Sequence, residues 1–369
     1  MKQEDFILRK AELLCYGFKT DETVKEQLRK EHDEFFEKGF IDAVNLTLGG
    51  HNICANVAEE FSARSPYSLI YENGTYYMTG NGMKEPVGFY PKLPKTGTVI
   101  DGMAQLHARY CINLWPNTAC CFDADKKKCK FCSIKERQAE PVPAEKIGEG
   151  LRILLEKLEE PFFRESRSDT DKYEINLSGG TYRSPDIMAD YWISLVKEIR
   201  KFSDRAITVE MAPPADLEKL RELKAAGLTS LIMNLEVAKQ ELREKICPGK
   251  AGISYEHYHA AFRAAVPLFG WGKVSSVLIE GIQPAQDILD ECEKMAKIGV
   301  FPSIMPFRPL DECELNDTAG CNPEELVMLS EKLAEMMKKY NHNSRGKNGC
   351  TDCAGCSLEF DCLRRREEA

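Results

Sequence analysis

Two groups of cysteines stand out by their spacing among the 369 residues. Cys120, Cys121, Cys129 and Cys132 lie in TACCFDADKKKCKFCSI, and Cys350, Cys353, Cys356 and Cys362 lie in CTDCAGCSLEFDC. Thiolate sulfur is the ligand that soft metal centres select. The first group reads C-x7-C-x2-C from Cys121, or C-x8-C-x2-C from Cys120, with Phe131 directly before the last cysteine. Three thiolates suit a [4Fe–4S] cluster whose fourth iron stays open to a ligand. They suit zinc if a histidine joins them. His107 is the nearest histidine, but it precedes the adjoining strand and is expected at the other end of the sheet.

The second group reads C-x2-C-x2-C-x5-C. Its first part matches the run in which successive thiolates wrap one iron–sulfur cluster. Zinc sites usually pair one CxxC with a second, well-separated pair. Cys350, Cys353, Cys356 and Cys362 are therefore candidate ligands of a second [4Fe–4S] cluster, preceded by a polar, Gly-containing loop, NHNSRGKNG. The other seven cysteines (15, 54, 111, 247, 292, 313 and 321) are scattered and read as small buried hydrophobes. The total of 15 is odd, and the opening MKQEDFILRK lacks the apolar core of a signal peptide. Disulfides are the weaker reading, and a cytoplasmic protein is expected.

Composition sets the frame around these thiols. Apolar residues make up 43% and charged residues 30%, as in ordinary globular chains. No apolar run reaches the ~18 residues of a membrane span, so no membrane association is expected. The net charge of −9 disfavours nucleic acid as a partner, because such binders need a basic face. The length suggests about two domains, or one large barrel with attachments.

Residues 1–105 read as an N-terminal extension. Helical spacing runs from Asp5 to Tyr16 and from Glu22 to Lys38. Ser68 to Thr79 reads as a hairpin around Asn73-Gly74. GFYPKLPKTG reads as an extended linker. Residues 106–341 then alternate strands and helices. The strands are expected at Tyr110–Leu114, Tyr173–Leu177, Ala206–Met211, Ser230–Val237, Lys273–Ile279 and Ser303–Phe307. EPFFRESRSDTDK, at 160–172, reads as a loop insertion. Residues 342–369 form a C-terminal Cys-rich segment. Six strand–helix units in order predict an α/β fold with right-handed crossovers, a partial (β/α)6 barrel of the TIM type. In such a barrel chemistry sits at the C-terminal ends of the strands.

The first cysteine loop follows the first strand, and in that place it resembles the radical S-adenosylmethionine (SAM) superfamily. The usual motif there is C-x3-C-x2-C with an aromatic residue before the last cysteine. This chain keeps Cys129-Lys-Phe131-Cys132 and lengthens the first gap, leaving Cys121 or Cys120 as first ligand. Ser178-Gly179-Gly180-Thr181, after the second strand, is similar to the Gly-Gly-Glu-like turn that holds the methionine amino group. Thr181 replaces the acidic residue. Asn234-Leu235-Glu236 resembles the ribose-contacting stretch of the biotin synthase and lipoyl synthase branch.

By the same resemblance, Arg243 would meet the cofactor carboxylate. Glu210, ending the third strand, would face the cofactor site; Gly281 after the fifth strand and the PFRPL stretch with Arg308 after the sixth match positions beside the adenine, with contact to substrate as the alternative for Arg308. The implied chemistry is one-electron cleavage of SAM at a [4Fe–4S] cluster, giving a 5′-deoxyadenosyl radical that abstracts hydrogen. The implied partners are a small or peptide-borne substrate and an electron donor such as a flavodoxin or ferredoxin. The competing expectation is a zinc-stabilised scaffold in which both cysteine groups are structural.

Overall fold

The computed structural model describes residues 3–31, 43–57, 59–90, 92–107, 111–124, 126–134, 140–160, 173–342 and 348–368. The N-terminal part runs α1 (Gln3–Tyr16), β1 (Lys19–Thr20), α2 (Glu22–Glu31), β2 (Ala43–Leu48), β3 (His51–Asn56), α3 (Glu59–Ser62), β4 (Ser68–Glu72), β5 (Thr75–Gly80) and β6 (Met83–Phe89). Its strands form one sheet in the order β1-β4-β5-β6-β2-β3. The expected hairpin is β4–β5, and Asn73 and Gly74 both take the positive φ that a tight two-residue turn requires. The β2–β3 hairpin and β6 go beyond the sequence reading. Gly88 and Phe89, read as linker, close β6 by pairing with Thr47 and Leu46. The expected continuation of α2 to Lys38 lies outside the described residues.

The second part runs β7 (Ala104–His107), β8 (Cys111–Asn117), α4 (Cys121–Ala124), α5 (Ala144–Leu158), β9 (Glu174–Gly179), α6 (Pro185–Arg200), β10 (Ile207–Glu210), α7 (Glu218–Ala226), β11 (Ser230–Ile232), α8 (Gln240–Ile246), α9 (Tyr255–Phe269), β12 (Val274–Glu280), α10 (Ala285–Lys297), β13 (Val300–Pro306) and α11 (Pro323–Lys339). Strands β8 to β13 lie side by side in chain order and all pair in parallel. Strand β7 adds antiparallel to the outer edge of β8. The architecture is an α/β partial barrel of six strand–helix units, as the alternation implies.

Local chemistry starts and stops the helices. Ser184 and Asn322 cap α6 and α11 with proline at the next position, and Ser254 caps α9. Helix α7 ends on Gly227 at φ 106°, in the left-handed region. Helix α5 buries Ile147, Leu151, Leu154 and Leu158 on one stripe against the core. The start of β8 at Tyr110 and the insertion at 161–172 lie outside the described residues. Strand β11 ends at Ile232, earlier than expected; the Met233 N–H still donates to Ser275 O, and the chain pairs with β12 again through a bridge from Glu236 to Leu278.

Each parallel strand carries a buried small polar residue: Asn113, Asn176, Thr208, Ser230, Ser275 and Ser303. Two connected layers satisfy them. Within the sheet, Asn176 donates to Asn113 at 2.8 Å and Thr208 bonds Ser230 at 2.6 Å. The rest comes from the C-terminal segment, α12 (Cys350–Cys353) and α13 (Glu359–Glu368). The Cys350 N–H donates to Asn176 Oδ1, Thr351 bonds Ser275, and Ser303 donates to Glu359. Gly349 fits because a Cβ there would stand 2.6 Å from Thr208 Oγ1. The C-terminal segment is thus a plug that pairs buried groups the strands cannot pair among themselves.

One cysteine expectation is corrected here. Cys15 of α1 and Cys321, just before α11, form a disulfide, with Cα atoms 5.4 Å apart. Both are buried, and α1 packs directly on α11. The 306-residue separation hid the pair, because spacing in sequence carries no information about it.

Candidate active site

A cavity of about 420 Å³ opens within the partial barrel, inside the usual size range of ligand sites. Cys132, Phe131 and Ser133 of the first cysteine loop line it, as do Glu210, Asn234 and Glu236 from the ends of neighbouring strands. Arg308, Cys54, Cys350, Thr351 and Cys356 line it as well. The cavity therefore runs between the two groups of cysteines.

Backbone contacts fix the first loop. The Cys121 N–H donates to Thr181 O at 2.8 Å, and the Lys130 N–H donates to Ile246 O at 2.8 Å. Gly179 and Gly180 permit this seat. A Cβ on Gly179 would lie 2.3 Å from Asn117 O, and one on Gly180 would lie 2.2 Å from Ala119 O. The glycine pair lets the loop cross the end of β9 at backbone distance. Ser178 is buried beneath, donating to Asn113 at 3.3 Å, and does not line the cavity. Two cysteines that spacing does not single out sit beside the loop. Cys247 meets Cys129, whose thiol is pushed well up by that contact and by burial. Cys313 bonds Phe131 O at 3.1 Å.

Glu236 is the most constrained residue of the site. It holds φ 69°, a left-handed conformation unusual for a residue with a Cβ. The Ile279 N–H and the Gln283 side chain both donate to its carbonyl oxygen, pinning the backbone. Its Oε1 meets Lys250 Nζ at 2.9 Å, while its buried Oε2 meets no hydrogen-bonding group among the described residues. Burial works against the Lys250 ammonium, yet Glu236 holds its pKa well above the ordinary lysine range. Asn234 donates to Glu210 at 2.5 Å and accepts from the Val277 N–H. Burial pushes the Glu210 carboxyl up, with Lys250 pulling against it.

Three sequence candidates stand elsewhere. The Arg243 side chain is fully buried, stacks 4.7 Å from the Tyr258 ring centre, and donates to Gln240 Oε1 and the carbonyls of Ile253 and Lys250. Its guanidinium braces the segment that carries Lys250 and does not line the cavity. Gly281, at φ 94°, is required because a Cβ would stand 2.9 Å from Cys321 N. Cys362 lies fully buried on α13, in the core cluster that holds Phe360 and Leu363. Arg308 does line the cavity, with its guanidinium bonded to Leu14 O and Cys54 O at 3.1 Å each.

The second cysteine group meets Cys54 of β3. The Cys54 N–H donates to Gly355 O at 2.8 Å, and the Asn52 side chain donates to Cys353 O at 3.0 Å. The Cys54 thiol bonds Cys356, which together with Arg308 and Lys10 holds Cys356 well below the usual thiol range. Cys350 and Cys353 bond each other in the same way. His107 pairs with Cys111 at the start of β8, the end of the sheet expected for it, and it still lines the cavity together with Trp115, 5.3 Å away. Burial lowers the His107 pKa to about 4. Among the described residues no three His, Cys, Asp or Glu side chains converge as they would on a single metal ion, and a multi-iron cluster spaces its thiolates more widely. The donor set itself, a loop of closely spaced cysteines with Cys132 lining a cavity that Glu236 also lines, fits a thiolate-ligated cluster with a polar ligand beside it.

No family model matches the chain. The bacteriochlorophyllide c C-7(1)-hydroxylase of Chlorobaculum limnaeum is 32% identical over 136 residues, 36% of this chain and 34% of that protein. The chain thus matches about a third of the length of this curated relative. Among solved structures, methylornithine synthase (PylB) is 17% identical with a TM-score of 0.49, covering 69% of both chains. A radical SAM methyltransferase from Sphaerobacter thermophilus is 14% identical with a TM-score of 0.44, covering 75% of this chain and 77% of that one. Coproporphyrinogen III oxidase (HemN) from Escherichia coli, a radical SAM enzyme, is 17% identical with a TM-score of 0.40, covering 64% and 54%. No helix among the described residues is long and apolar enough to cross a membrane.

Proposed function

We propose that the chain is a radical SAM enzyme that activates a carbon–hydrogen bond of a small or peptide-borne substrate. The observation that carries this reading is one cavity lined by both Cys132 of the cysteine loop and Glu236, whose buried Oε2 meets no hydrogen-bonding group among the described residues. Cys121, Cys129 and Cys132 would hold a [4Fe–4S] cluster, leaving its fourth iron to the methionine end of SAM. When bound, that pair supplies a one-electron cleavage that generates a 5′-deoxyadenosyl radical able to take a hydrogen atom.

The protein's own contribution is to bind, orient and shelter. The Gly179-Gly180 turn seats the cysteine loop on the strand ends. Lys250 neutralises one oxygen of Glu236 and leaves the other to accept a ribose hydroxyl. Asn234, fixed between Glu210 and Val277, completes that edge, as the resemblance to the biotin synthase and lipoyl synthase branch implies. Trp115, Phe131 and Phe307 line the cavity with aromatic surface that would shelter it from water. The partial relative is named a hydroxylase, which supports a carbon position as the site of reaction. A second cluster at Cys350, Cys353 and Cys356, and a flavodoxin or ferredoxin as electron donor, belong to the same proposal.

The test is anaerobic reconstitution with iron and sulfide, followed by reduction in the presence of SAM and analysis for 5′-deoxyadenosine and methionine. Both products are expected. A colourless protein that holds zinc and forms neither product would refute the proposal.

A further inference from the structure

We infer that Cys54, Cys350, Cys353 and Cys356 are the four thiolate ligands of a second iron–sulfur cluster, with Cys54 rather than Cys362 completing the set. The inference deepens the reading of the C-terminal thiols given above and rests on it. Spacing within CTDCAGCSLEFDC supplies three closely placed cysteines, and Cys362 is the next in sequence. The fold sends Cys362 away, onto α13 and into the hydrophobic core. It brings in Cys54 from a strand nearly three hundred residues earlier.

Three observations place Cys54 there. Strand β3 is the edge of the N-terminal sheet, and its open edge is covered by the cysteine-bearing turn through the Cys54 N–H bond to Gly355 O. A point at the Cβ position of Gly355 lies 3.6 Å from both Cys353 Sγ and Cys54 Cβ, so the two cysteines flank the same glycine. Cys54 and Cys356 also line the same cavity wall, beside Cys350.

The turn itself is built to hold its shape. Ala354 takes φ 55°, and its carbonyl receives Lys10 Nζ, while Cys350 is tied to Asn176 at the other end. Arg308 brings a positive charge to the Cys54 carbonyl, which offsets part of the negative charge of four thiolates on iron, while Lys10, itself paired with Asp361, ties down the Ala354 carbonyl. Such a cluster would join the N-terminal sheet to the barrel plug beside the cavity that Cys132 also lines.

The test uses the full chain with Cys121, Cys129 and Cys132 all changed to alanine, so that the outcome is independent of the first loop. After anaerobic reconstitution with iron and sulfide, iron, sulfide and zinc are counted and the EPR spectrum of the reduced protein is recorded. About four irons per chain are expected in this background. Adding Cys54→Ala should lower the iron count or shift the EPR g values, and adding Cys362→Ala should change neither. Circular dichroism checks that each variant is folded. Where the alanine variant fails to fold, Cys54→Ser, nearly the same size but an oxygen donor, should shift the spectrum. An unchanged count and spectrum in the Cys54 variant would overturn the ligand set, as would the same loss from Cys362→Ala or Cys111→Ala in its place. Zinc bound in place of iron would overturn the cluster. Cys129→Ala in the otherwise unaltered chain tests the first loop separately.

Discussion

Lys10 and Asp361, 351 positions apart in sequence, form an ion pair at 2.6 Å in which both side chains are 1% exposed. His51 and Arg364 also reach Asp361, so its carboxylate is held far below the usual range, with Lys10 the leading favourable cause against the cost of burial. This pair binds the first helix to the last one.

Asp361→Asn should therefore destabilise strongly. Removing one partner of a buried pair leaves the other charge uncompensated, at a cost of about 3–5 kcal/mol. Lys10→Met combined with Asp361→Leu should cost much less than Asp361→Asn. Thermal melts of the three proteins check this. A midpoint for Asp361→Asn equal to the parent's would contradict the structural role given to the pair.

Glu280 gives a pH dependence. Burial raises its carboxyl to about 8, with Glu325 adding to the shift and the Asn322 N–H opposing it. Between the ordinary glutamate value and about 8 the folded chain keeps a proton that the unfolded chain has released. Stability contributed at this site therefore falls as pH rises through that window and is lowest above it. Glu280→Gln keeps an acceptor for the Asn322 N–H and removes the titration. Its melting midpoint should exceed the parent's by more at pH 8 than at pH 5. An equal difference at both pH values would count against the assignment.

In the cysteine loop, Cys129→Ala and Cys132→Ala should each abolish SAM cleavage, since each removes one of three proposed ligands. Only one of Cys121→Ala and Cys120→Ala should be fatal, and Cys121 is the expected ligand. Product analysis after anaerobic reconstitution reads the outcome. Full activity in the Cys129 variant would sink the radical assignment.

At the strand ends, Glu236→Ala and Asn234→Ala should weaken SAM binding while leaving the iron content of the first loop in place. Loss of a hydrogen bond to a charged group costs about 1.5–3 kcal/mol, roughly tenfold or more in affinity. Equilibrium binding of SAM to the reconstituted protein measures it. Unchanged affinity in both variants would show that the ribose edge lies elsewhere.

The Cys15–Cys321 disulfide predicts a crosslinked peptide pair under non-reducing digestion. Cys15→Ala should lower stability by about 2–4 kcal/mol, the usual range for a native bridge. Detection of both thiols in their free form in the native protein would remove the bridge from the account.

Periodicity in the sequence carried the barrel well. Helices such as Ala144–Leu158 and strands such as Val274–Glu280 announce themselves through spacing and apolar runs. Cys132, Glu210, Asn234 and Glu236 were legible as cavity-lining residues because Glu210 ends a strand and the others lie in segments that follow one. What stayed hidden depended on distance in sequence. Cys54 is one cysteine in HNICAN, and nothing local says that Gly355 will meet it. Arg243 looked like a ligand for an anion because charge alone does not reveal that three acceptors within its own segment would take it up. Ser275 of VSSVLIE carried a signal, a small polar residue inside an apolar strand, and it bonds Thr351 of the plug.

That plug has a consequence for how the chain reaches its folded state. Ribosomal synthesis delivers β8 and β9 long before residues 348–363, which complete the pairing of their inward polar groups. The nascent barrel is therefore left with a wet, incompletely bonded interior until the last segment threads in. Contacts of such long sequence separation close slowly, because their loop entropy is lost before they are rewarded. Slow closure leaves an interval in which the thiols of both regions stand open to solvent.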